Sequence, residues 1–245
     1  MKYNKITAII QARMGSTRLP GKVLRKLEDR TVLGHVITRC LAVPSVSNVI
    51  VATSNLEQDD VIADEAAEYG VYCYRGSEHH VLSRFFEAAQ VVKTDVVVRV
   101  TSDCPLLDPA ITEQLIQSFM NGEYDYARIK LTNSFPRGLD SEVFTFKSLK
   151  QAYEKAKTEY EREHVTPYIY NNPEQFRIYS MPNLEDHSKY RLTLDTPADW
   201  ELISRIYQEI YTGSIFGWRE VLDLLQKKTE WVKINEEVEQ AHSGE

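Results

Sequence analysis

The segment that most constrains this chain is QARMGSTRLPGK at residues 11–22, which follows the run ITAII at 6–10. A short apolar run bounded by turn residues reads as a buried strand. The loop after it gathers three cations (Arg13, Arg18 and Lys22), two glycines, two hydroxyls and a proline. Gly15, Ser16 and Thr17 can turn backbone N–H groups toward one point, because glycine lifts the steric bar to such turns. Arginine adds a planar fork of donors that matches phosphate oxygens. Pro20-Gly21 marks a turn and argues against a helix starting before Lys22. A strand running into a basic, glycine-containing loop is the arrangement of a polyphosphate site in an open α/β sheet. The bland alternative is a surface turn that happens to be basic, but in a chain of net charge −7 clustered cations stand out.

Two familiar phosphate loops are excluded. A Walker loop has four residues between its glycines and then Lys-Ser or Lys-Thr; here five separate Gly15 from Gly21, and Val23 follows the lysine. The dinucleotide pattern GxGxxG fails because Thr17 stands at its second glycine.

Along the chain, strands are predicted at 6–10, 48–53, 71–74 and 95–101, with helices at 31–41, 57–69, 79–92 and 109–121 between and after them. This alternation implies an α/β fold with a mainly parallel sheet and helices on both faces. Beyond Asp108 the pattern loosens. Two strands are expected within 125–146 around a loop at 133–140, helices at 147–157 and 162–171, strands at 176–179 and 191–194, and helices at 197–211 and 217–227. A polar, acidic tail at 236–245 should fray.

A length of 245 residues suits one large domain, or a domain with a small appendage. The acidic balance argues against general nucleic-acid binding, which needs a wide basic face. Cys40, Cys73 and Cys104 are odd in number and form no CxxC, which suits reduced thiols and neither a disulfide framework nor structural zinc. No apolar run is long enough for a signal peptide or a membrane span, so a cytoplasmic protein is expected.

Two aspartates follow strands, where ligands gather in such sheets. They are Asp103 in VRVTSDCP and Asp195 in RLTLDTP. The structural alternative for each is a helix N-cap. However, Asp108 before Pro109 and Thr196 before Pro197 are the natural caps of the next helices, which frees both aspartates. Two carboxylates beside a polyphosphate suit Mg²⁺, which takes one or two carboxylates plus phosphate oxygens.

The stretch ARMGSTRLPGK at 12–22 resembles the N-terminal motif of the CMP-sugar synthetases, the cytidylyltransferases that activate acidic sugars. In overall pattern the chain is similar to the spore coat polysaccharide biosynthesis protein F branch of that superfamily, over roughly residues 5–215. The resemblance implies a three-layer, Rossmann-like fold of the nucleotide-diphospho-sugar transferase (GT-A-like) type. A single nucleotidyltransferase domain at 1–235 would carry an inserted sugar-binding and dimerisation region near 125–180. It implies CTP bound by Ala12, Arg13, Gly15, Ser16, Arg18 and Lys22, with Gly76 and Ser77 of the RGS turn near the nucleoside. Mg²⁺ would sit on Asp103 and Asp195, although Ser102-Asp103-Cys104-Pro105 departs slightly from the Gly-Asp-Glu-Pro of many relatives. Arg13 and Lys22 join the two aspartates as catalytic residues. Arg137, Gly138, Asp140 and Glu142 match a sugar-binding Gly-x-Asp-x-Glu, with His164 a further candidate sugar contact. His35 and the pair His79-His80 read instead as packing and surface residues.

The expected reaction is transfer of CMP from CTP to a sugar, with pyrophosphate released and a homodimer as the working form. Two rivals remain open on sequence grounds: a GT-A-like glycosyltransferase using a finished nucleotide sugar, and a non-catalytic nucleotide-binding protein. The Asp-x-Asp metal motif usual for the former is absent around Asp103.

Overall fold

The computed structural model describes residues 5–130, 132 and 134–238. Asn133, at the start of the expected loop, and residues 239–245 of the expected tail lie outside them. Strand β1 (Ile6–Gln11) occupies the middle of a seven-stranded sheet and is buried along nearly its whole length. On one side it pairs in parallel with β4 (Asn48–Ser54), which pairs in parallel with the edge strand β5 (Tyr72–Gly76). On the other side it pairs in parallel with β6 (Val96–Thr101). Next comes β8 (Glu142–Thr145), antiparallel both to β6 and to β7 (Tyr126–Ile129), and β7 carries the parallel edge strand β9 (Ile178–Met181). Six strands therefore point one way and β8 alone points back. Short strands β2 (Lys26–Leu27) and β3 (Arg30–Thr31) form a separate antiparallel pair, which the sequence pattern did not suggest.

Alternation along β1 divides the core in two. Ala8 and Ile10 face a cluster that includes α1 (Val32–Leu41), α2 (Asp60–Glu68), α4 (Pro109–Asn121), α8 (Pro197–Ile210) and α9 (Trp218–Lys227). Ile9 faces the other cluster, with α3 (Val81–Val91), α5 (Phe146–Lys155) and α7 (Pro167–Tyr170). The result is a sheet between two helical layers, the arrangement expected when parallel strands are buried on both faces. Asp108 caps α4 by accepting from Ala110 and Ile111 N–H, and Thr196 caps α8 by accepting from Asp199 N–H. Neither Asp103 nor Asp195 is a cap.

Three expected elements differ. Residues 191–194 form no strand: Arg191 makes a single bridge to Arg137, and Leu192 and Leu194 donate to the carbonyls of Arg137 and Asp103. This segment is extended because it is strung between two loops, so no ladder can form. The helix expected over 162–171 is two, α6 (Glu159–His164) and α7, because the chain turns at Val165 and Pro167 starts a new helix. Finally, β5 extends through Gly76, and α3 starts at Val81 with His80 as its cap, so the RGS turn lies partly in the strand.

Candidate active site

The loop after β1 is pinned from below. Ala12 donates to the Ala52 carbonyl, and Met14 N–H donates to Asp59 at 2.7 Å, where Ser54 Oγ also donates. Gly21 takes φ 64, a left-handed conformation that suits glycine, and turns the chain into a 3₁₀ turn whose first residue is Lys22. Ser16 N–H is spent inside the loop on the Met14 carbonyl at 2.8 Å. The backbone N–H of Ser16 therefore does not face outward as the sequence pattern suggested.

Lys22 joins the two halves of the site. Its Nζ lies 3.1 Å from Asp103 Oδ2 and 2.8 Å from Asp195 Oδ1, and donates to the Leu194 carbonyl at 2.8 Å. Burial works to lower the lysine pKa, but Asp103 and Asp195 outweigh it, and the net shift is upward. Asp103 moves the other way. Burial raises it, yet the Lys22 charge and the Thr101 hydroxyl, which donates at 2.6 Å, hold it below the usual carboxylate range. Asp195 also accepts from Arg191 at 3.0 Å and pairs with Arg18 at 3.3 Å. Behind it, Arg191 pairs with buried Asp199, and Asn235 donates to both Asp199 Oδ1 and the Arg191 carbonyl.

Two cavities open on either side of these carboxylates. One, of about 380 Å³, is lined by Gln11, Ala12, Arg13, Gly15, Ser16, Thr17, Arg18, Lys22, Arg84, Ser102 and neighbours. All six loop residues expected to bind the nucleotide lie here. Gly76 and Ser77 do not line it. Gly76 instead makes room for Arg84, whose Cγ would stand 2.9 Å from a Cβ at that position, and Ser77 Oγ accepts from His80 N–H. Arg84 went unnoticed in the sequence. It is almost fully buried, Nε and Nη1 have no hydrogen-bond partner among the described residues, and burial together with nearby Arg13 pushes its pKa down to about 10.

The second cavity, about 350 Å³, is lined by Arg99, Arg128, Arg137, Asp140, Glu142, Tyr160, His164 and Tyr170, among others. Four of the five expected sugar contacts line it; Gly138 does not. At φ 97, Gly138 lies where a Cβ would meet the Leu192 backbone at 2.4 Å, so glycine there permits a crossing of chains. Glu142 is already engaged by Arg99, by the Tyr126 hydroxyl and by Thr166 Oγ1 at 2.7 Å. Its carboxyl is held below its usual range despite burial, and its evident work is to fix Arg99. Asp140 is the opposite case. Burial pushes it up to about 6, Oδ2 accepts from Gly138 N–H, and buried Oδ1 has no partner among the described residues. Expected packing and surface histidines also have definite places. His35 is buried with Nε2 on the Leu27 carbonyl and its pKa lowered to about 4, while His79 is exposed.

The basic loop thus lies beside two carboxylates, Asp103 just after β6 and Asp195 just before α8, that share one lysine. The chain belongs to the cytidylyltransferase family, whose family model matches residues 7–216. It is 36 % identical to the spore coat polysaccharide biosynthesis protein SpsF of Bacillus subtilis, over 91 % of this chain and 95 % of that one. A solved cytidylyltransferase of Leptospira borgpetersenii is 33 % identical and superimposes with a TM-score of 0.89 over 97 % of this chain and 99 % of that one. A 3-deoxy-manno-octulosonate cytidylyltransferase of Trichlorobacter lovleyi is 38 % identical over a shorter stretch, 47 % of this chain and 45 % of that protein. Among the described residues no helix is long and apolar enough to cross a membrane.

Proposed function

We propose that this cytidylyltransferase moves CMP from CTP to an acidic sugar and releases pyrophosphate. The observation that carries the reading is the Lys22 ammonium held between Asp103 and Asp195 beside a loop bearing Arg13 and Arg18. In this reading the cavity of the basic loop takes the triphosphate and the second cavity takes the sugar. Arg13, Arg18 and Lys22 hold the β- and γ-phosphates and stabilise the charge that builds on pyrophosphate as it leaves. Arg128 and Arg137 offer guanidinium forks to a sugar carboxylate. A relative named for an acidic sugar, 3-deoxy-manno-octulosonate, supports that choice.

Mg²⁺ fits the donor set. Two carboxylate oxygens, one from Asp103 and one from Asp195, converge on one cationic nitrogen. A pair of carboxylates completed by phosphate oxygens is what Mg²⁺ uses. Asp103 and Asp195 would hold it, and when bound it would act as a Lewis acid on the α-phosphate. The reading extends to a GT-A-like classification, a role in surface or spore coat polysaccharide synthesis, a cytoplasmic location and a homodimer, the last checked by light scattering at micromolar concentration.

The test is a pyrophosphate-release screen of acidic and deoxy sugars against all four nucleoside triphosphates. Release with CTP and an acidic sugar is expected. Equal release with UTP or ATP, or release only with neutral sugars, would overturn the reading.

A further inference from the structure

The two cavities meet at a seam lined from both sides by four residues, Thr101, Asp103, His164 and Asp195. Both carboxylates there are engaged by cations, and the Thr101 hydroxyl by Asp103. His164 differs. Its ring lies 4.5 Å from that of Tyr160, and neither ring nitrogen has a hydrogen-bond partner among the described residues.

The backbone that delivers His164 is strained. Thr166 N–H donates to the His164 carbonyl at 2.8 Å across Val165, which takes φ 71 and ψ −52. This is the rare γ-turn of positive φ. For a β-branched residue that conformation is an outlier, and such outliers persist only where their surroundings over-determine them. Here Val165 is fully buried in the core cluster of α3 and α5, Pro167 starts α7, and Thr166 Oγ1 is fixed on Glu142. The turn ends α6 with His164 facing the seam.

We propose that His164 is the general base of the transfer, its imidazole taking the proton of the acceptor hydroxyl as that oxygen attacks the α-phosphorus. The proposal rests on the cytidylyl-transfer reading above. The acceptor O–H bond breaks and its proton goes to a ring nitrogen. The new O–P bond forms as the bond from the α-phosphorus to the bridging oxygen breaks, with its electron pair leaving on pyrophosphate. The imidazolium then returns the proton to solvent. A base must start neutral, and the surroundings favour that form. Burial lowers the pKa of His164, Glu163 on the same helix pulls it up, Arg99 from β6 and Arg13 from the loop lower it, and Glu142 from β8 raises it, with a net downward shift. Arg84 of α3 lines the same nucleotide cavity, and Tyr160 of α6 the acceptor cavity.

Two measurements test this. In the first, His164→Gln and His164→Asn are compared with wild type, using CTP, Mg²⁺ and 3-deoxy-manno-octulosonate. We expect kcat to fall about 10²–10³-fold and the acidic limb of the kcat–pH profile to disappear, with KM for the sugar within about threefold of wild type. A rise in KM with kcat and the profile unchanged would make His164 a sugar contact and overturn the proposal. In the second, the His164 ring resonance of the wild-type chain is titrated by NMR with Mg²⁺ and each of CTP, UTP, ATP and GTP. This needs neither a variant nor the correct sugar. Binding of a triphosphate at the seam should raise the imidazole pKa. A response to another nucleotide but not to CTP would refute the cytidylyl reading and leave His164 at the seam. A ring that responds to none of the four would refute the proposal.

Discussion

The nucleotide cavity takes most of its wall from one continuous segment, residues 11–23, whereas the acceptor cavity collects Arg99 from β6, Arg128 from β7, Glu142 from β8 and His164 from the end of α6. The first wall rests on parallel strands buried on both faces, and the second on the part of the sheet where β8 runs backward. Their electrostatics also differ. At the nucleotide side Asp103 and Asp195 share Lys22, and Asp103 is held in its charged form. At the acceptor side Asp140 is buried, one oxygen has no partner among the described residues, and it is pushed toward its neutral form. A triphosphate brings its own large charge, so its side can be built from strongly charged groups. On the reading proposed above, the acceptor side pairs Arg99 with Glu142 and leaves Arg128 and Arg137 to meet an acidic acceptor.

The largest expected effect breaks the nucleotide side. Asp195→Asn should lower turnover by about 10³-fold or more, because asparagine keeps the shape but loses the charge that pairs with Lys22 and would hold Mg²⁺. Stability should fall by only about 1–2 kcal/mol, since Arg191 keeps Asp199 as its partner. Partial recovery with Mn²⁺ would agree, while wild-type turnover per folded molecule would refute the role of this carboxylate.

Asp140→Asn probes the acceptor side more gently. The folded-state pKa of about 6 lies above the ordinary 3.8, so the folded chain binds this proton more tightly than the unfolded one. The stability it lends is full below about pH 4 and is lost as pH rises through 6, a change of up to about 3 kcal/mol. Urea melts at intervals from pH 4 to 7 should show that slope in wild type and a flatter one in the variant. Asp103 carries the reverse sign: its contribution is present above its ordinary pKa and is lost only as pH falls below it. Equal slopes for wild type and variant would mean that Asp140 titrates normally.

The smallest effect concerns Gly76. A Cβ there would stand 2.9 Å from Arg84 Cγ, so Gly76→Ala should displace that side chain and raise KM for CTP several-fold with kcat little changed. An unchanged KM would separate Gly76 from the nucleotide cavity altogether.

Much of the nucleotide side was legible because its signals are local. The loop at 11–22, Asp103 after its strand and the caps at Asp108 and Thr196 each show themselves within a few residues, and Asp195 stands out although the strand expected before it does not form. Arg84 was not, because an arginine inside an apolar helical run looks like any helix-face cation until the cavity beside it is seen. Asp59 was missed because its work depends on Met14, 45 residues away, and the Arg191–Asp199 pair because its grip on Asp195 and its brace from Asn235 show only in the folded site. The reversal of β8 depends on pairing 142–145 with 96–99, which no local periodicity encodes. The break at Val165 contradicts the backbone preference of valine, so propensity pointed to one helix where two exist.

The site closes over long sequence distances. Lys22 meets Asp195 across 173 residues, and Asn235, beyond the family-matched span, holds the Arg191–Asp199 pair behind it. During vectorial synthesis the basic loop would leave the ribosome long before its carboxylate partner at Asp195, and before the amide that braces Arg191. Until then Arg13, Arg18 and Lys22 belong to a nascent chain without that acidic counterweight, able to attract any polyanion nearby. The Lys22–Asp195 contact and its brace from Asn235 are thus completed late in synthesis.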